Sequence, residues 1–334
     1  MRRALLATAL LALAGLSGCG FGSGGDGELT IYSGRQQDLV GPLLERYAKD
    51  EGVDIKVRYG GTPELAATIN EEGGNSPADV FFSQDAGALG SLQNEGRLAE
   101  LGQTLLDRVD PRFRSRNGAW VGVSGRARIV AFDKNSLKES DLPSSVLGFT
   151  EERWKAKVGW APTNASFQSF VTALRKTEGE AAAEEWLRGM KDNDAQVYEN
   201  NVAIRDAVAK GEIEVGLINH YYVAEAVAEE GDDYPVGVFE PPAGDPGALV
   251  NVAGAGVIRG SDNEDAAREF IEFLLSREAQ EYFAEKTKEY PLTAGVDAEA
   301  GLLPLDSIEQ PDVDLSDLDD LEGTVDLLEK TEVL

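Results

Sequence analysis

Short apolar runs alternate with amphipathic stretches along most of the chain. Residues 29–34 (LTIYSG) predict a strand that ends at a glycine, and residues 38–50 follow with apolar side chains at helical spacing. The alternation then continues toward the C-terminus. Further strands are predicted at 53–59, 78–82, 127–133, 158–161, 213–217 and 249–258, and further helices at 62–71, 167–177, 179–190, 201–210, 222–230 and 264–275. Strands that alternate with helices favour an α/β fold built on a largely parallel sheet.

One junction between a predicted strand and a predicted helix contains an aromatic pair. Tyr221 and Tyr222 lie between the strand 213–217 and the helix 222–230. Ligands of open α/β sheets gather at the carboxyl ends of strands. Adjacent side chains in the middle of a helix diverge by about 100 degrees, whereas at a strand-to-helix turn they can converge on one ligand. Packing in a core is the alternative, because buried aromatic side chains dominate cores.

The first 27 residues have the pattern of an exported, lipid-anchored protein. Residues 1–18 begin with a basic segment and continue with a short apolar stretch, which is typical of a signal peptide and too short to span a membrane. Residues 16–19 (LSGC) resemble the bacterial lipobox, so Cys19 is expected to be acylated, and residues 19–27 form a flexible tether. Cys19 is the only cysteine, which excludes an intrachain disulfide and a cysteine metal site. The expected location is the outer face of the cell membrane, with the lipid as the membrane contact.

Composition narrows the classes of function. The net charge of −29 argues against nucleic acid and anionic lipid as partners. Roughly 300 residues follow the tether, enough for one large or two medium domains. The chain has one histidine and neither a G-x-S-x-G nor an H-E-x-x-H motif, which argues against the common hydrolases. A glycoside hydrolase with a pair of carboxylates stays open, because the 60 acidic residues cannot be excluded one by one.

Six separated motifs occur in a fixed order along the chain. They are residues 32–35 (YSGR), 77–87 (PADVFFSQDAG), 121–128 (VGVSGRAR), 159–167 (GWAPTNASF), 218–222 (INHYY) and 289–292 (EYPL). Together they resemble the periplasmic ferric-ion-binding proteins of iron ABC importers. The resemblance implies a type 2 periplasmic-binding-protein fold, in which two α/β lobes are joined by a hinge and close on a ligand in the cleft. It also implies a monomer, with lobe one at 28–124 plus 252–297 and lobe two at 125–251 plus 298–334.

The resemblance also assigns the adjacent tyrosines to a metal. In the family such a pair ligates Fe(III), and it maps onto Tyr221 and Tyr222. Fe(III) is a hard cation that prefers anionic oxygen ligands. A free phenol titrates near pH 10, but a bound cation holds the ligand deprotonated.

Three positions depart from the family pattern. Residues 35–37 (RQQ) replace a histidine, Gln84 replaces a glutamate, and Ser166 replaces a third tyrosine found in some members. Two phenolates cannot fill an octahedral shell, so water, a synergistic anion (carbonate, phosphate or citrate) or a chelate of the iron must supply the other ligands. Arg35 and Arg126 are predicted to hold that anion, since guanidinium pairs bidentately with carboxylate-like groups.

Further polar side chains are predicted around the cleft. Hydrogen-bond donors to the anion are expected from the helix that begins after residue 162 and from two asparagines. These residues are Thr163, Asn164, Ala165, Ser166, Asn200 and Asn219. The other residues expected in the cleft are Gln36, Gln84, Asp85, Tyr198 and His220. For His220 the alternatives are a metal ligand and a neighbour that points away from the metal.

The predicted function is that of a binding protein, with no catalytic activity and no nucleic-acid partner. The lipoprotein captures ferric iron or a small ferric chelate and delivers it to the permease and ATPase of an ABC importer. The alternative is a protein of the same fold that binds an anionic or organic solute without metal, because tyrosines and arginines would also suit that ligand. Colour distinguishes the two, since only iron bound to phenolate gives a red to orange protein.

Overall fold

The computed structural model describes residues 28–299, 302 and 304–334. The predicted signal peptide, Cys19 and the tether lie outside the described residues. Within the part of the chain that is described, no helix has both the length and the apolar composition needed to cross a membrane.

The described residues contain ten strands in one mixed sheet. The strands are β1 (Leu29–Ser33), β2 (Ile55–Tyr59), β3 (Val80–Ser83), β4 (Val121–Asp133), β5 (Val158–Trp160), β6 (Gln196–Val197), β7 (Val215–Asn219), β8 (Val236–Phe239), β9 (Val250–Val257) and β10 (Tyr290–Pro291). Their order is β2-β1-β3-β9-β4-β7-β5-β6, and β8 and β10 also pair with β4. The groups β2-β1-β3 and β7-β5-β6 are parallel, which agrees with the alternation of strands and helices in the sequence. The other five pairings each involve β4 or β9 and are antiparallel, so the prediction of a largely parallel sheet is wrong for the sheet as a whole.

Eleven α-helices are described alongside the sheet. The helices are α1 (Gln37–Glu51), α2 (Thr62–Glu72), α3 (Ala86–Asn94), α4 (Gln103–Leu106), α5 (Ala165–Thr177), α6 (Glu180–Asp192), α7 (Asn201–Ala209), α8 (His220–Glu230), α9 (Glu264–Leu274), α10 (Arg277–Lys286) and α11 (Leu321–Lys330). Their amphipathic pattern matches their packing, as α9 illustrates. The buried residues of α9 are Ala267, Phe270, Ile271 and Leu274. This i, i+3, i+4, i+7 spacing places one apolar stripe against the core.

β4 connects the two halves of the sheet. Residues 121–127 of this strand pair with β9, whereas residues 128–132 pair with β7. β9 comes after the lobe-two segments in the sequence and pairs with β3 of lobe one, so it is the strand by which the chain returns to lobe one. β4 and β9 are antiparallel neighbours, and we expect the hinge that the family resemblance implies to lie at these two strands.

Each lobe has its own apolar core. The lobe-one core includes Ile31, Phe81 and Phe270, from β1, β3 and α9. In lobe two, one cluster forms around the tryptophans Trp160 and Trp186, on β5 and α6. A second lobe-two cluster contains Ile204, Ile218, Tyr221 and Tyr222. The tyrosine pair therefore rests on an apolar base that holds its rings in place.

The C-terminal segment contacts both lobes. The sequence predicts that residues 298–334 belong to lobe two, and Leu327 and Leu328 of α11 do pack in a lobe-two core. Leu315 and Leu318, by contrast, pack in the lobe-one core. The segment thus passes from one lobe to the other shortly before α11 begins.

Candidate metal and anion site

The tyrosine pair occupies the first turn of α8. The helix begins at His220, two residues earlier than the sequence predicts. Tyr221 and Tyr222 are both buried, and their ring centroids lie 4.1 Å apart with an angle of 33° between the ring planes. The two rings therefore lie side by side, which is the arrangement that lets two adjacent phenols share one ligand.

Burial controls the protonation of Tyr221. It raises the pKa of this phenol well above 10, and the neighbouring Tyr222 raises it further. The guanidinium groups of Arg126 and Arg35 act in the opposite direction. Tyr221 is thus a neutral phenol at physiological pH, and only a strongly charged cation nearby would hold it as a phenolate.

Two arginines lie buried within electrostatic reach of the tyrosines. Arg35 follows β1 and Arg126 belongs to β4, and each is 1% exposed. All three side-chain nitrogens of Arg126, together with Nε and Nη1 of Arg35, have no hydrogen-bond partner among the described residues. Buried donors without a partner are energetically costly, and most buried polar groups in proteins are paired. These donors therefore fit a bound anion.

Glu289 holds Arg35 in place. Arg35 Nη2 donates to Glu289 Oε2 over 2.8 Å, and the hydroxyl of Ser124 donates to the same oxygen over 2.9 Å. The Thr287 hydroxyl lies 3.0 Å from this oxygen and shares its one proton with the Phe283 carbonyl, 2.8 Å away. Glu289 Oε1 lies 3.9 Å from Arg126 Nε. Burial lowers the pKa of Arg35, but the opposing effects, of which the charge of Glu289 is the largest, raise it above its usual value.

Asp85 brings a second buried carboxyl from lobe one. It is the N-cap of α3, where its Oδ1 accepts a hydrogen bond from the Ala88 N–H over 3.3 Å. Its Oδ2 has no partner among the described residues. Burial raises the pKa of Asp85, while Arg126 and the hydrogen bond from Ala88 lower it.

The beginning of α5 supplies polar groups from lobe two. Asn164 caps this helix by accepting the Ser166 N–H over 3.0 Å. The amide of Asn219 donates to the Ser166 hydroxyl over 3.2 Å, so these two predicted residues lie together. Ser169, one turn further along, has a buried hydroxyl close enough to the Asp85 carboxyl to lower the pKa of that group. Thr163 is exposed and Ala165 is half-buried.

His220 is not available as a metal ligand in this arrangement. Its Nδ1 accepts a hydrogen bond from the Ala127 N–H over 3.1 Å, and its Nε2–H donates to the Lys288 carbonyl over 2.9 Å. Burial lowers the pKa of His220 to about 4, which keeps the ring neutral. Of the two alternatives for this residue, the hydrogen bonds favour a neighbour that points away from the metal.

The other predicted cleft residues have structural contacts of their own. Gln36 is exposed at the start of α1, and the Gln84 backbone N–H donates to the Thr62 hydroxyl over 3.2 Å. Asn200 caps α7 by accepting the Ala203 N–H over 2.9 Å. Tyr198 packs against the second lobe-two cluster and is half-buried.

Sequence reasoning did not identify Glu289 or Arg128 as site residues. Both occur in the motifs that carry the family resemblance, which is the signal that could have identified them. Arg128 donates to the Leu217 carbonyl over 3.1 Å and to the Asn219 side-chain oxygen over 3.4 Å, so it orients Asn219 toward Ser166.

Tyrosine is the residue type at this site that could carry a metal. Across the described ranges, no group of three or more His, Cys, Asp and Glu side chains is arranged to hold a metal ion. Two phenols, unpartnered guanidinium donors and the start of a helix together suit a hard cation bound with an anion.

Two α/β lobes joined by two crossing strands, with a buried polar site at their junction, define the class of extracytoplasmic solute-binding proteins. Residues 75–312 match the family described as bacterial extracellular solute-binding protein. The chain belongs to this family.

Sequence relatives agree with this assignment. The major ferric iron-binding protein of Neisseria meningitidis serogroup B is 34% identical over 306 residues, which cover 91% of this chain and 92% of the relative. The Fe(3+)-binding periplasmic protein of Serratia marcescens is 30% identical over 317 residues, which cover 94% of this chain and 92% of the relative.

Solved structures give the same result. Iron-bound HitA from Pseudomonas aeruginosa superposes with a TM-score of 0.86 at 33% identity, covering 91% of this chain and 99% of that chain. Trichodesmium IdiA (FutA), in complex with iron and citrate, superposes with a TM-score of 0.78 at 32% identity and the same coverage. The predicted two-lobed fold and the resemblance to ferric-ion-binding proteins are confirmed.

Proposed function

We propose that this chain captures ferric iron outside the cell through Tyr221 and Tyr222 and delivers it to an ABC importer. The observation that carries the proposal is the buried tyrosine pair, whose rings lie 4.1 Å apart near two guanidinium groups with unpartnered donors. Relatives and structural neighbours that are named for ferric iron binding support it.

The chemistry of the pair suits Fe(III). Iron binding deprotonates both phenols, and the resulting phenolates give a trivalent cation two anionic oxygen ligands. A divalent ion binds a phenolate less strongly, so it offsets less of the free energy needed to deprotonate a phenol whose pKa is raised as strongly as that of Tyr221. This difference favours ferric over divalent ions at the site.

An exogenous anion fills the shell that two phenolates leave open. Arg126 and Arg35 have buried donors without protein partners, and such donors pair bidentately with an oxyanion. Ser166 and Asn219, at the start of α5 and the end of β7, are further donors on the lobe-two side. Carbonate, phosphate and citrate are the anions considered, and citrate accompanies iron in one structural neighbour.

The cellular role follows from the class of protein. In this proposal residues 1–18 direct export, a lipid on Cys19 anchors the chain to the outer face of the cell membrane, and a monomer closes its lobes on ferric iron or a small ferric chelate. Lobe one comprises 28–124 plus 252–297, with residues 125–251 and α11 in lobe two. The permease and ATPase of an ABC importer receive the iron.

A second candidate is a metal-free site for an anionic solute. Taken alone, the donors of Arg126 and Arg35 that have no partner among the described residues favour an anion site without metal. The tyrosines separate the two candidates, because a metal-free anion site does not need a phenol that can become a phenolate.

The test is a ferric titration of purified protein stripped with a chelator. In buffer without carbonate, phosphate and citrate, and again after each anion is restored, visible absorbance is followed as iron is added. Saturable phenolate-to-iron charge transfer that strengthens with an anion is expected. A colourless protein that binds an anion equally well without iron would support the second candidate instead.

A further inference from the structure

The last part of the chain is anchored in both lobes. Residues 314–331, which we call the strap, begin on lobe one, where Leu315 and Leu318 are buried in the apolar core. They end on lobe two, where Leu327 and Leu328 are buried in one of its clusters. Detaching either end would expose two buried leucines to water, which is unfavourable. Both ends of the strap are therefore firmly held.

The anchor on lobe one is helix α3. A Cβ at Gly87 would lie 2.5 Å from the Leu318 carbonyl oxygen, so the strap backbone lies directly on this glycine. One turn further along α3, a Cβ at Gly90 would lie 3.1 Å from the Cβ of Asp319. The Asn94 amide, at the end of the helix, donates to the Asp319 carboxylate. Asp319 is thus fixed on lobe one.

The anchor on lobe two is helix α5. Arg175 donates from Nη2 to Asp320 Oδ2 over 2.8 Å and from Nη1 to the Asp320 carbonyl over 3.2 Å. The same Nη1 donates to the Thr324 hydroxyl over 2.9 Å. The Thr324 and Thr172 hydroxyl oxygens lie 2.7 Å apart, and both residues are fully buried. Asp320 is thus fixed on lobe two.

The strap crosses between the lobes in a single residue step. Asp319 is held by α3 and Asp320 by α5, and consecutive Cα atoms are about 3.8 Å apart. The two helices cannot separate at this place unless one anchor breaks. Both helices begin at the candidate site, since Asp85 caps α3 and Ser166 belongs to the first turn of α5. The strap therefore joins two helices that approach the site from opposite lobes.

The strap and the paired strands β4 and β9 are two separate connections between the lobes. Two bodies that are joined at two separate places can rotate relative to each other only about the line through those places. The lobes can swing apart away from this line, but α3 and α5 stay together where the strap crosses. This arrangement limits both the direction and the extent of opening.

We propose that the strap is a fixed tie that restricts opening of the cleft to one rotation and thereby slows the release of iron. The inference rests on the proposed function, because it concerns lobes that close on a ferric ion. A tie that narrows the open form reduces its conformational freedom, so the closed form is more populated. A ligand held by the closed form then binds with higher apparent affinity and leaves more slowly.

The experiment lengthens the tie and leaves its anchors in place. Insertion of Gly-Gly-Ser between Asp319 and Asp320 adds about 10 Å of reach and removes no side chain. Small-angle scattering measures the radius of gyration of the iron-free protein, which is expected to increase. Charge-transfer absorbance measures the rate at which a chelator removes iron, which is expected to rise roughly 5-fold or more, as in coupling between ligand binding and a conformational change. The absorbance band itself should remain, because both tyrosines are unchanged.

The matched control carries the same insertion within one lobe. Asp232 and Asp233 are exposed in the loop after α8, so Gly-Gly-Ser between them should not alter the release rate or widen the iron-free protein. If the insertion after Asp319 fails to fold, a single glycine at the same position, which adds about 3.5 Å of reach, replaces it.

A disulfide tests whether the strap stays on α3 when the cleft opens. Gly90→Cys/Asp319→Cys places two Cβ atoms within a few tenths of an ångström of disulfide distance, and Cys19 is the only cysteine of the unmodified chain. The oxidised and reduced forms should release iron at the same rate, because a fixed tie does not leave α3.

Each outcome decides one claim. If the insertion after Asp319 changes neither the radius nor the release rate, or if the control insertion has an equal effect, the strap does not limit opening. Slower release from the oxidised disulfide would show that the strap leaves α3 on opening, which contradicts a fixed tie. If the unmodified protein shows no charge transfer, the proposed function is wrong, and the radius of the iron-free insertion variant still tests the strap.

Discussion

His220 differs from its neighbours in the site because both of its ring nitrogens are hydrogen-bonded within the protein. Tyr221, by contrast, is a buried phenol whose pKa is strongly raised. Arg126 is a buried guanidinium whose donors have no partner among the described residues. Burial favours the neutral form of a phenol and penalises an unpaired guanidinium, so both of these groups gain from a bound ion pair. A bound ion pair would not stabilise His220, whose hydrogen bonds instead link β4 to the segment before β10.

The neutral state of His220 predicts a loss of stability in acid. Its pKa falls from 6.5 to about 4 on burial, so the unfolded chain binds more protons between these values and the free energy of unfolding decreases as pH falls through this window. The expected loss between pH 7 and pH 5 is about 2 kcal/mol from this residue. Urea unfolding of the iron-free protein and of His220→Asn at both pH values measures it. The variant should be less stable at pH 7 but should lose about 2 kcal/mol less on acidification. Equal losses in both proteins would show that His220 is not held neutral.

Residue adjacency explains which parts of the site could be predicted. Tyr221 and Tyr222 are neighbours in the chain at a junction whose periodicity changes, so local pattern marks them as a candidate site, and the family resemblance then predicts that they bind a metal. Arg35 and Glu289 are 254 residues apart and meet only because β10 pairs with β4. No local pattern encodes that contact, and sequence reasoning therefore assigned Arg35 to the anion without identifying the carboxylate beside it.

Among the elements, β4 shows where periodicity fails. The sequence predicts a strand only at 127–133, whereas β4 begins at Val121. Residues 122–125 (GVSG) lack the alternation of apolar and polar side chains, and their extended conformation comes from pairing with β9 and β10. The same long-range pairing makes the strand continuous across both lobes.

The C-terminal segment is a further connection between the lobes. Asp314 and Asp317 pair with Arg116 of lobe one, at distances of 3.2 Å for Asp314 and 2.5 Å for Asp317. Immediately afterwards, Asp320 pairs with Arg175 of lobe two over 2.8 Å. The sequence could not predict this passage, because its spaced leucines indicate packing without indicating the partner.

Gly87 on α3 tests the contact of this segment with lobe one. A Cβ at this position would lie 2.5 Å from the Leu318 carbonyl oxygen, a backbone atom that cannot rotate away. Gly87→Ala is therefore expected to lower the free energy of unfolding by about 1–3 kcal/mol, despite the higher helix propensity of alanine. Urea denaturation measures the change. Gly74→Ala, where a Cβ has open space, is the matched control and should be close to neutral. A Gly87→Ala protein at least as stable as the control would mean that the segment does not pack on α3 in solution.

For the whole molecule, we predict that the lobes close around the ligand, because two crossing strands join them and the polar site lies between their separate cores. Hinge motion of this kind is expected to make the iron complex more compact than the iron-free protein. Small-angle scattering of both forms, with carbonate present, measures the radius of gyration. The double variant Tyr221→Phe/Tyr222→Phe should show no change on addition of iron. Identical profiles for the two forms of the unmodified protein would exclude hinge closure while leaving iron binding intact.

The central claim is that Tyr221 and Tyr222 are the iron ligands. Its most direct test is a ferric titration with carbonate, followed by charge-transfer absorbance, of the unmodified protein, Tyr221→Phe, Tyr222→Phe and the core control Tyr47→Phe. Each site variant loses one phenolate and keeps the aromatic ring that packs on lobe two, so both should lose the visible band and most of the affinity while melting close to the unmodified protein. Tyr47→Phe, in the lobe-one core, should keep both. Undiminished colour and affinity in either site variant would contradict the account.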